Sequence, residues 1–136
     1  MIRVLKYITM IFVLAALAIS CVGMKGQFGF RRFGDDAYRR IDGVPEFAGD
    51  EQVSWVYAFK KKYGEHEIGV VYLKKELVWV EVLNTSSRID NAVRVVYGTI
   101  KDLPPGEYRI DITDVSNDNL LIDSKDFIVY DREDEE

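Results

Sequence analysis

The chain has 136 residues, with 23 acidic side chains against 18 basic ones, one histidine and one cysteine. That length supports one domain built on one core, and a lone cysteine excludes an intrachain disulfide, so the fold must be stable through packing alone. The excess of negative charge argues against nucleic acid as a partner.

In chain order, the first element is MIRVLKYITMIFVLAALAIS, residues 1 to 20. Two positive charges, Arg3 and Lys6, precede an apolar run from Tyr7 to Ile19 that ends in small residues. Basic, then apolar, then small is the order of a secretory signal. The run falls short of the roughly 20 residues a spanning helix needs, so cleavage is expected. Ala18-Ile19-Ser20-Cys21 resembles the lipobox of bacterial lipoproteins, with Ala18 standing where that family most often has Leu. The resemblance implies that Cys21 is acylated on its sulfur and becomes the first mature residue. Residues 1–20 then leave with two basic and no acidic side chains, and 16 basic against 23 acidic residues give the mature chain a net charge of -7.

Residues 21–51 read as a lipid-anchored, irregular tether. Six glycines and Pro45 punctuate it, and only Asp35 to Ile41 has the pattern of a short helix, with Asp35 as N-cap. Phe28, Phe30, Phe33 and Tyr38 are mixed with Arg31, Arg32, Arg39 and Arg40. Such a mixture could rest on an anionic membrane. The number of apolar side chains favours instead that they fold back onto the domain.

From Val53 the hydrophobic period is two, the pattern of half-buried strands. VSWVYAFK and IGVVYLK flank a turn at Gly64 and predict an antiparallel hairpin over residues 53–74. ELVWVEVL, Glu76 to Leu83, reads as a strand buried on both faces, followed by a loop from Asn84 to Ala92. VRVVYGTIK is the next strand, with Gly98 marking a bulge or a close backbone approach. EYRIDITD alternates most cleanly, with Tyr108, Ile110 and Ile112 inward. LLIDSKDFIVY gives a last strand interrupted near Ser124 to Asp126, and residues 131–136, DREDEE, form a solvated acidic tail. Six to seven short strands and no sustained helical pattern predict an all-β fold over residues 52–130.

LPPGEY, with Leu103, Gly106 and Tyr108, resembles the corner of immunoglobulin-like and fibronectin III-like sandwiches, where a tyrosine hydroxyl bonds back to nearby backbone. The resemblance implies an antiparallel immunoglobulin-like sandwich with Tyr108 holding the corner and Trp79 as its core tryptophan. The architecture does not by itself specify a function.

No nucleophile elbow, phosphate-binding loop or His-Glu-x-x-His motif is present, and His66, in the Gly64 turn, is expected to be exposed. A non-catalytic role without cofactors is therefore expected. The oxygen-rich stretch DITDVSNDN offers Asp111, Asp114 and Asp118 as calcium ligands, but without EF-hand spacing, and such residues also serve ordinary turns. Two binding roles are open. One is a protein-interaction module of the cell envelope, engaging an envelope protein through a strand edge or through the loops Asn84–Ala92 and Asp114–Asn119. The alternative is carbohydrate binding on a platform drawn from Trp55, Tyr57, Tyr63, Tyr72 and Tyr97. The membrane is the other expected partner, through Cys21. Val22 offers no acidic retention cue, which points to the outer membrane by default.

Overall fold

The computed structural model describes residues 23–135; residues 1–22, and with them the signal and Cys21, lie outside the described residues. Eight strands run β1 (Gly26–Arg32), β2 (Glu46–Ala48), β3 (Val53–Phe59), β4 (His66–Lys75), β5 (Trp79–Ile89), β6 (Val95–Ile100), β7 (Gly106–Asp114) and β8 (Leu120–Tyr130). They form two sheets, one ordered β1-β3-β6 and the other β2-β8-β7-β4-β5. Every pairing is antiparallel except β2 on β8. The fold is all-β.

The core lies between the sheets, and the period of two explains how it is filled. Val53, Trp55, Tyr57 and Phe59 of β3 are all buried, and they face Tyr108, Ile110 and Ile112 of β7. Phe47, Phe127 and Tyr108 close the end of the core away from Gly23, with Tyr108 and Phe127 stacked at 5.3 Å between ring centres. Tyr108 Oη donates to the Pro104 carbonyl, four residues back, and so holds the turn into β7. Tyr108→Phe should lower stability by about 1 kcal/mol, read as a lower denaturation midpoint at an unchanged m-value.

Trp55 is the tryptophan of the core. It is fully buried, and its Nε1 donates to Tyr72 Oη at 2.8 Å, tying β3 in one sheet to β4 in the other. Directly across the β3–β6 pair stands Gly98. A Cβ there would lie 2.6 Å from Tyr72 Oη and 2.9 Å from Trp55 Cε2, so the glycine is the space into which the indole fits. This is the close approach that the sequence suggested at Gly98. Gly98→Ala should therefore cost about 1–3 kcal/mol through overpacking. The same unfolding measurement checks it, and pairing it with Trp55→Phe should restore part of the loss.

Several sequence expectations give way here. Residues 21–51 are not a plain tether, because they contain β1 and β2, and the body of the fold begins at Gly26. Phe28 and Phe30 fold inward, whereas Phe33 is 93% exposed. Asp35 to Ile41 is not helical; Arg39 instead bridges back to Phe30, covering the β1 edge. β3 and β4 are consecutive but sit in different sheets, so residues 53–74 are a crossing between sheets and not a hairpin. β8 runs without interruption through Ser124 to Asp126. Trp79 is not a core residue: it pairs with Lys75 at the start of an edge strand and lies under Arg109.

Candidate functional site

The sheet order leaves four edges, two of which are protected and one of which is short. β2 is three residues long, β1 is covered by the Arg39 bridge, and β6, at six residues, is little more than half the length of β5. β5 differs. It has 11 residues, ends the five-stranded sheet, and pairs only with β4. A strand edge carries a row of unpaired N–H and C=O groups, which invites pairing with another chain.

Side chains make this edge more inviting. Leu77 and Val78 in the turn before β5 are exposed, as are Val80, Val82 and Leu83 within it. Only Glu81 and Arg88 bring charge to the strand. The register slips between Tyr72 and Leu73 so that Val82 has no partner on β4, a bulge that turns the edge locally. The apolar run in ELVWVEVL is thus not buried on both faces, and Asn84 to Ile89 continue the strand where a loop was expected.

The outer face of the sheet beside β5 is polar and tightly organised. The Arg109 guanidinium lies 4.2 Å from the centre of the Trp79 ring and binds both oxygens of Asp126, at 2.6 and 3.3 Å. The bond to Asp126 pushes the Arg109 pKa up and holds the guanidinium charged. Trp79 therefore serves as a shelf for a charge on the outer surface.

The remaining candidates are dispersed. Asp111 accepts from Ser124 Oγ, Asp114 is buried against His66, and Asp118 sits in the β7–β8 turn in a left-handed conformation. They are not brought together as calcium ligands, and among the described residues no group of three His, Cys, Asp or Glu side chains is placed to hold a metal. Of the proposed aromatic platform, Trp55, Tyr57 and Tyr72 are buried. Burial, with Asp123 beside it, drives the Tyr57 pKa upward, as expected of a core phenol. Tyr97 is exposed alone, so no platform forms from these rings.

His66 was missed as a structural residue. It opens β4, with Nδ1 3.0 Å from Asp114 Oδ2 and Nε2 3.0 Å from the Tyr63 carbonyl, so an acceptor faces each ring nitrogen. Asp114 is the one buried charged residue among those described. The partners are 48 residues apart, and no spacing rule in the sequence links them.

The class defined by this geometry is an all-β domain of two stacked sheets with one long open edge. No protein-family model matches the chain, and no curated protein matches it in sequence. Among solved structures it is similar to one described as "a Putative Lipoprotein from Bacillus anthracis", at 12% identity and a TM-score of 0.45, over 83% of this chain and 91% of that chain.

Proposed function

We propose that the protein is a lipid-anchored domain of a bacterial cell envelope that binds a protein partner by strand addition along β5, without catalysis. Cys21 carries the lipid, as the resemblance to a lipobox implies, and the sandwich is immunoglobulin-like. Support for the latter is the strand order, with β5 in the sheet of β4, β7 and β8, together with the Tyr108 corner. The observation that carries the binding role is the open β5 edge with its exposed Val80, Val82 and Leu83. Strand addition gains affinity from main-chain hydrogen bonds and specificity from alternate side chains.

The test is site-specific photocrosslinking in intact cells. A photoreactive residue at Val82 should yield one discrete crosslinked protein, and the same residue at Arg40 should not. Val80→Lys places a charge on the edge and should weaken that band at least about tenfold, equivalent to about 1.4 kcal/mol. A band of equal strength from both positions, or one indifferent to Val80→Lys, would count against strand addition.

A further inference from the structure

The chain enters the fold at Gly23, and strand directions fix what surrounds that point. The starts of β1, β4, β6 and β8 and the ends of β3, β5 and β7 all lie at this end. So do the turns Lys60 to Glu65, Asp90 to Arg94 and Val115 to Asn119. The acidic C-terminal residues follow β8 at the opposite end.

Two features of the Gly23 end need a partner. Leu120 and Leu121 are adjacent at the start of β8 and about half exposed, at 50% and 55%. They border an open cleft of about 700 Å³ that Met24, Tyr63 and Ile122 also line and that reaches Gly23 itself. Lys25 lines it, and Lys60, Lys61 and Lys62 follow β3 at the same end; all four are exposed, and among the described residues none of the four is in an ion pair. The acidic groups of this end have partners of different kinds. Asp114 faces His66, Glu65 pairs with Arg88, and Asp90 accepts from the backbone N–H groups of Ala92 and Val93. Those N–H bonds hold the Asp90 pKa below its ordinary value. The ionised Asp90, Glu67 and Asp118, with Asp123 beside Lys60, are left to oppose the lysines and Arg94.

We propose that this end of the sandwich is a membrane-docking face. Leu120 and Leu121 enter the headgroup boundary of a bilayer, and Lys25, Lys60, Lys61 and Lys62 meet its anionic headgroups. The inference rests on the anchor reading, because only Val22 separates Cys21 from Gly23. At no more than about 3.6 Å per residue, Gly23 stays within roughly 7 Å of the anchored cysteine. A face held so close to the bilayer buries apolar side chains there and draws basic ones to anionic lipid. It also assigns directions. The turns Asp90 to Arg94 and Val115 to Asn119 are turned toward lipid, and protein binding is left to the flank of the sandwich along β5.

The experiment uses the full chain, processed in cells and reconstituted through its anchor into vesicles of phosphatidylcholine with or without phosphatidylglycerol. With Cys21 acylated, a cysteine introduced by Leu121→Cys or Leu77→Cys is the sole free thiol and takes an environment-sensitive fluorophore. The label at position 121 should shift to the blue and be quenched by brominated lipid severalfold more than the label at 77. Lys60→Glu combined with Lys61→Glu and Lys62→Glu should reduce that quenching in phosphatidylglycerol vesicles. A label at 121 that is as accessible to water as the one at 77, on protein that floats with the vesicles, overturns the docking face and leaves the anchor standing. Protein that fails to float overturns the anchor and the docking face together. Quenching unaffected by the triple charge reversal overturns the role of the lysines.

Discussion

Trp55→Ala should cost about 3–5 kcal/mol, the range for truncating a buried aromatic, and Trp79→Ala about 1 kcal/mol or less. The difference follows from where each ring lies. Trp55 is fully buried, packs against Phe28 and Tyr72 at 6.2 Å between ring centres, and donates to Tyr72 Oη. Its removal opens a cavity beside Gly98 and leaves a buried hydroxyl without its donor, which adds to the cavity term. Against a total stability of about 5–15 kcal/mol, that loss is a large share, and the melting temperature should fall by on the order of 15 °C. Trp79 loses chiefly its stacking with Arg109, which keeps its bonds to Asp126. Denaturant midpoints of the two variants, measured side by side, decide the matter. Equal losses would place the structural tryptophan wrongly.

How much of this was legible in the sequence depended on the kind of information each element needed. β7 was legible because Tyr108, Ile110 and Ile112 alternate with polar residues, and one buried face is all the pattern has to express. The inward face of β3 was legible for the same reason. β5 was not, since an unbroken apolar run reads alike in a strand buried on both faces and in one lying along an open edge. β1 was hidden because Gly26 and Gly29 look like linker glycines. A Cβ on Gly26 would strike the Ala58 carbonyl and the Tyr57 ring, so that glycine is there for a close approach of strands.

Longer-range facts were beyond any local pattern. The turn at Gly64 looks the same whether the chain returns to the same sheet or crosses to the other. Trp55 and Trp79 both sit among β-branched and aromatic neighbours, and what separates them is Gly98, 43 residues from one and 19 from the other, opposite Trp55 in the sheet. The pairing of His66 with Asp114 likewise depends on β4 and β7 lying side by side. The corner at Tyr108 was readable because its bond spans only four residues. The open edge itself became visible only once the order of strands was known.

The docking face rests on the anchor proposed at Cys21, and substitution of that cysteine carries the other large expected effect. Acylation needs the cysteine sulfur, so serine at that position should abolish it completely and also block removal of residues 1–20. The most direct measurement is incorporation of a clickable palmitate analogue by cells producing the wild-type chain or Cys21→Ser. Label on the wild-type chain and none on Cys21→Ser, with the variant heavier by the retained signal, is the predicted result. Label of equal intensity on Cys21→Ser, or no label on either, would contradict a lipid-anchored protein.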